Sequence, residues 1–211
     1  MSQFVEAWSK TTKAIYNGVL LYSLAGILYA ILDPIDELGD FFGGMMFFTG
    51  SRSGLGGLEG LSIVCNVLLG AIILGYILFL TGLGGFSHIL PPRDKAAVCK
   101  IRNSVILALV AEIFDFIPFL GWVGSILSII AFIMMIIGYS SLKNSMSFPR
   151  RARSGASKLF TSMILLIIGA ILGFIPFVGK LLEMPFSIIA FILTLTGWAA
   201  IKNTIPTEDS Y

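Results

Sequence analysis

Two acids, Glu112 and Asp115, stand three residues apart inside the apolar run Asn103 to Phe119. On a helix that spacing puts both carboxyl groups on one face. An ionisable pair within hydrocarbon is costly and turns toward a protein interior or toward water, so the pair is a candidate proton or cation site. The plainer reading is one acid reaching outward and the other hydrogen-bonded in a core. Four more acids, Asp33, Asp36, Glu37 and Asp40, follow the first long apolar run and form a candidate acidic outer mouth. Such a cluster would concentrate cations, although charge runs are more often simply solvated.

Other reactive groups are sparse. His88 is the one histidine, and Cys65 and Cys99 lie far apart, so no zinc-ligand spacing exists. The sequence predicts free thiols rather than a disulfide framework. No Ser-His-Asp or Cys-His arrangement is recognisable. The glycine-rich stretch after residue 53 lacks the Lys-Ser/Thr ending that a phosphate loop requires. No cofactor, no metal and no enzymatic activity are expected.

The elements that must position these residues are set by composition. Only 12% of the 211 residues are charged and 56% are hydrophobic, with mean hydropathy +0.93. A water-soluble domain carries about 25% charged residues, so lipid is the expected solvent. A spanning helix needs about 20 apolar residues. Six segments qualify: 14–32, 61–86, 103–119, 121–142, 159–178 and 181–201. The alternative is four spans plus a pair of re-entrant hairpins, because the third segment is short and carries two acids. No cleavable signal peptide is visible before the first segment.

Charge then sets orientation. Twelve of the fourteen basic residues fall on one side of this arrangement, among them Arg93, Lys95, Lys100, Arg102, Lys143, Arg150, Arg151, Arg153 and Lys158. Basic loops stay cytoplasmic, so both termini are predicted there, in what reads as a prokaryotic inner membrane. The basic stretch 148–158 is topogenic first and could also touch anionic lipid head groups; nucleic acid is not an expected partner. Phe4 and Trp8 suggest a short interfacial helix before the first span. Asn17 and Asn66 lie inside spans and suggest hydrogen bonds between helices.

The second half repeats itself. FIPFLG at 116–121 recurs as FIPFVG at 174–179, and SIIAFI at 128–133 recurs at 187–192. Lys100, Ser104 and Gly121 align with Lys158, Ser162 and Gly179; after one inserted residue, Gly138 aligns with Gly197 and Lys143-Asn144 with Lys202-Asn203. Each copy covers roughly 45 residues and reads as one helical hairpin. Pro118 with Gly121, and Pro176 with Gly179, are the expected outer turns, since Pro breaks the helix and Gly permits φ > 0 where the chain reverses. The expected divisions are 1–92, 93–147 and 148–211, one hairpin each, with a glycine-rich outer loop over 33–60. Thr81-Gly82 resembles Thr196-Gly197, which makes the first hairpin a more distant relative. Opposite Glu112 and Asp115 the repeat places Ala170 and Gly173. Gly169 and Gly173 have close-packing spacing, and Glu112 is expected to pack toward them.

The repeated FIPFxG hairpin ending in SIIAFI, Gly and Lys-Asn resembles uncharacterised multi-pass membrane proteins of prokaryotes over Lys100 to Thr204. That resemblance implies no activity and carries over no site residues. The fold expected is all-α and polytopic, with six transmembrane helices as three hairpins. The expected role is a non-enzymatic structural or accessory subunit. Its partners would be the lipid bilayer and either further copies of itself or other membrane subunits, met through small-residue faces and FFGGMMFF at 41–48. The alternative is a small proton- or cation-coupled transporter or channel using Glu112, Asp115 and the acidic outer mouth.

Overall fold

The computed structural model describes residues 2–47, 56–115, 117, 119–173, 175 and 179–206. Side chains are described for the same residues except 2, 30–47, 56–62, 115, 173 and 179–184. The described residues form six α-helices and no strand: α1 (Ser2–Phe47), α2 (Gly56–Ile89), α3 (Pro92–Asp115), α4 (Gly121–Lys143), α5 (Arg150–Gly173) and α6 (Gly179–Lys202). Four stretches, Ile63–Ile89, Gly121–Lys143, Arg150–Leu172 and Pro185–Lys202, are long and apolar enough to cross a bilayer. They make the chain an integral membrane protein.

The other two helices depart from expectation. In α3 the uncharged run is only Asn103–Ala111, bounded by Arg102 and Glu112, so this helix does not qualify as a span by length and composition. The apolar run 14–32 of α1 continues beyond the residues whose side chains are described.

Helix ends also move. Residues 33–47, expected in an outer loop, belong to α1, and α2 begins at Gly56 rather than 61. The acids at 33, 36, 37 and 40 carry the i, i+3, i+4, i+7 spacing of one helical face. Similarly, α3 and α5 begin inside the basic segments that read as loops. Pro92 opens α3, where its missing N–H costs nothing. Pro149 precedes α5, and its carbonyl accepts the Arg153 N–H at 2.8 Å.

Two units make up the chain. The first comprises Met1–Tyr16 and Phe79–Tyr211. Here α3 packs on α4, α5 on α6, and α4 on α5. Its core is aromatic: the Trp8 ring lies 4.9 Å from Phe86 and 5.8 Å from Phe148, and Trp198 lies 5.8 Å from Phe79 and 6.3 Å from Tyr139. Trp8, expected as an interfacial anchor, is 1% exposed and donates its indole N–H to the Ile201 carbonyl at 3.3 Å. A large aromatic with a polar edge is well suited to such a junction. The second unit, Asn17–Leu78, is built from parts of α1 and α2. Tyr22 and Tyr76 stack there at 4.6 Å, and a Cβ at Gly75 would lie 2.5 Å from the Tyr22 nitrogen.

The same close approach recurs within the first unit. Cβ atoms added at Gly82, Gly138 and Gly197 would lie 2.8, 2.5 and 2.8 Å from Ile15, Ile101 and Leu159 respectively. In the aligned halves Gly138 also faces the Ala97 carbonyl and Gly197 the Gly155 carbonyl. Ser104 donates to Ile101 O as Ser162 donates to Leu159 O.

The connection between α3 and α4 is a tight double turn, Ile117 N–H to Phe114 O and Leu120 N–H to Ile117 O. Its left-handed residue is Phe119, with φ 69°, not the expected glycine; Gly121 is the first residue of α4. The α5–α6 connection shares the Ile175 N–H to Leu172 O bond; Pro118 and Pro176 lie outside the described residues. A left-handed backbone costs an ordinary residue roughly 1–2 kcal/mol, and Phe119 is 95% exposed, so its ring contributes little packing. Phe119→Gly is therefore expected to raise the thermal midpoint in detergent slightly, and Phe119→Val to lower it. An unfolding scan that ranks the two variants the other way would disprove the strain argument.

Candidate functional site

The acid pair comes first. Glu112 sits three residues before the end of α3, and α4 rises beside it through 23 residues, about 35 Å at 1.5 Å each. The hydrocarbon is about 30 Å thick, so α4 is long enough to cross it. Its neighbour Ala111 is buried, while Glu112 itself is exposed. The carboxyl group is thus not enclosed between the described helices; of the glycines it was expected to approach, Gly173 lies outside the described side chains. The helical period does not explain this exposure: the buried residues of α3 are Ala97, Val98, Ile101, Ser104, Val105 and Ala111, and position 112 shares the face of Val98 and Val105, fourteen and seven residues back.

Asp115 and Gly173 are helical residues whose side-chain surroundings lie outside the described set, as do those of Asp33, Asp36, Glu37, Asp40 and Gly179. Gly169 is buried. His88 is exposed at the end of α2, and both cysteines are free. Asn17 and Asn66 are exposed rather than buried between helices. Among the described residues no cluster of three His, Cys, Asp or Glu could hold a metal ion.

What the sequence did not flag is the polar order at the basic end of the first unit. Asp94, in the first turn of α3, is 1% exposed. Its Oδ2 accepts the Ser147 hydroxyl at 2.9 Å, and Ser147 is 2.9 Å from Ser145. A carboxylate in a helix's first turn is favoured by the exposed N–H groups there, and this one ties α3 to the α4–α5 connection. Asp94 Oδ1 and the Nε atoms of Arg102 and Arg153 are buried without a protein partner. Beside this cluster a groove of about 550 Å³ opens between α3, α4 and α5, with Arg93 and Lys100 on one wall and Ser140 and Asn144 on another. The one signal in the sequence is the Arg93–Lys100 spacing of seven, which aligns two cations along a helix.

Three buried hydroxyls donate to their own helices: Thr12 to Trp8 O at 2.7 Å, Ser104 to Ile101 O at 2.7 Å and Ser162 to Leu159 O at 2.6 Å. The chain matches no protein-family model, and comparisons with curated proteins and with solved structures give no match.

Proposed function

We propose that this chain is a non-enzymatic structural or accessory subunit of a membrane assembly, with six spans in three hairpins, the last two an internal repeat. Both termini would be cytoplasmic, in a prokaryotic inner membrane. The repeat is supported by the recurring glycine contacts and by two matched caps. Lys143 stands 4.5 Å above the Phe160 ring and Lys202, its aligned partner, 4.0 Å above Tyr16.

The observation that carries the subunit reading is the interior of the described helices. Its large buried side chains are apolar, Ile15, Val19, Leu83, Val98, Ile101, Leu142 and Leu159 among them, and three buried hydroxyls bond to their own backbone. Only 17% of the spanning window in α4 and 33% of that in α5 is buried within the chain. Much surface is left for lipid or for neighbouring subunits, and helix association in lipid proceeds through such close-packing faces.

Purification of the full chain in mild detergent tests this. A stoichiometric partner or a stable oligomer supports the subunit reading. A monodisperse monomer that moves protons or cations in liposomes, and loses that flux in Glu112→Gln, overturns it in favour of a transporter.

Topology has its own check. Single cysteines at Ser51 and Ser154, in a chain without Cys65 and Cys99, are expected to react with an impermeant maleimide from opposite sides. Ser154 is exposed near the start of α5; Ser51 lies outside the described residues. Labelling of both from the same side removes the six-span arrangement.

A further inference from the structure

We propose that the groove between α3, α4 and α5 binds the phosphate head group of an anionic phospholipid, with an acyl chain lying along α4. The inference needs only that the spans cross a bilayer and does not depend on the subunit reading.

Charge and shape both point to this occupant. Arg93 and Lys100 line the groove from α3, two helical turns or about 10 Å apart along its axis. Both are exposed, so neither is tied up in a core. Across from them Ser140 and Asn144 supply a hydroxyl and an amide from the last turns of α4. No acidic side chain lines the groove. Lys143, held over Phe160, adds a third cation at its edge.

The groove is not purely polar. Ile136, Ile137 and Phe160 complete its wall. From Ile137 an exposed file continues along α4 through Ile133, Ile130 and Ile126, which are 44%, 50%, 44% and 48% exposed in that order. These residues are spaced i, i+4, i+7, i+11, one stripe running about 16 Å into the hydrocarbon. A soluble phosphate would use the cations and leave the stripe empty; a diacyl phospholipid uses both. A cavity of about 550 Å³ suits a head group and the start of its chains. Basic pockets between helices at the membrane surface are a known way of recognising anionic lipid.

The aligned positions in the last hairpin provide a built-in control. Arg151 and Lys158 repeat the two cations, and Asn203 repeats Asn144, but Ala199 and Ala200 replace Ser140 and Ser141. If the basic face merely attracts anionic surface, the two cation pairs are equivalent. If the groove is a site, they are not.

The test is a titration of the full-length protein in neutral detergent with a fluorescent phosphatidylglycerol, competed by unlabelled phosphatidylglycerol, phosphatidylcholine or inorganic phosphate. The double change Arg93→Gln with Lys100→Gln is expected to weaken binding about 10- to 30-fold, from about three- to fivefold per cation. Arg151→Gln with Lys158→Gln should change it less than about threefold on the same scale. Ser140→Trp, which plugs the groove at constant charge, should also displace the lipid and serves as the test if the double variant does not fold. Equal weakening by both cation pairs overturns the site, as does unchanged binding in Ser140→Trp. Competition by inorganic phosphate as strong as by phosphatidylglycerol overturns the lipid assignment.

Discussion

Replacing Trp8 with alanine is expected to lower the stability of the protein by about 3–5 kcal/mol, the usual loss for a buried Trp or Phe reduced to alanine. Trp8 is 1% exposed, and its ring is flanked by Phe86 at 4.9 Å and Phe148 at 5.8 Å. Phe148 lies in the α4–α5 connection, and the indole N–H reaches Ile201 on α6. One side chain near the start of α1 therefore joins segments far apart in the sequence. Against a total stability of about 5–15 kcal/mol the loss is large. Trp8→Phe separates the contributions. It retains an aromatic ring but gives up the indole hydrogen bond, worth about 1 kcal/mol net, and leaves a gap where the second ring packed. The Ile201 carbonyl also accepts the Thr204 N–H at 3.2 Å, so it is not orphaned by that change. Thermal unfolding followed by size-exclusion chromatography in detergent should place Trp8→Phe between wild type and Trp8→Ala, with Trp8→Ala lowest. Equal midpoints for wild type and Trp8→Ala would return Trp8 to the role of an interfacial anchor.

Those partners show where a single sequence stops being informative. The ends of α4 were legible: Gly121 opens an uninterrupted apolar run and Lys143 closes it, and the helix spans those two residues. The starts of α3 and α5 were legible in principle but misread. Their charges suggested loop, yet Ala97, Val98, Ile101, Ser104 and Val105 keep the helical period through the basic stretch, and all five are buried. Ala152, Ala156, Leu159, Ser162 and Met163 do the same in α5. A helix can leave the membrane and continue as an amphipathic one, so charge alone does not end it. The contact of Trp8 with Phe86 and Phe148, and the groove beside Arg93, depend on how helices cross, which local spacing does not encode. The exposure of Glu112 was different again: by period it shares a face with Val98 and Val105, both buried, so local spacing does not announce it.

Gly155→Leu is expected to separate α5 from α6 and to give the largest loss among the glycine positions. A Cβ at Gly155 would lie 2.5 Å from the Gly197 carbonyl oxygen and 2.8 Å from Ile201 Cγ1. In the reverse direction a Cβ at Gly197 would lie 2.9 Å from the Gly155 oxygen. The obstacle at Gly155 is backbone, which cannot rotate away, so even alanine must push two helices apart. Overpacking costs about 1–3 kcal/mol where side chains can adjust, and Gly155→Leu should exceed that range. The aligned pair predicts a graded series. Gly138 meets the Ile101 side chain at 2.5 Å, at Cγ1, and the Ala97 carbonyl only at 3.1 Å. Ala97 stands where the other half has Gly155, so this crossing already accommodates one methyl group. Gly138→Ala should therefore cost less than Gly155→Ala. Gly26 and Gly70 have no heavy atom within 4 Å of an added Cβ. Alanine there should be neutral or stabilising, because it is the better helix former by about 1 kcal/mol. The order of thermal midpoints is then Gly26→Ala and Gly70→Ala at or above wild type, Gly138→Ala below, Gly155→Ala lower still and Gly155→Leu lowest. If Gly155→Ala matches Gly26→Ala, the α5–α6 crossing is looser than its backbone contacts require, and close approach of small residues is not what holds that hairpin together.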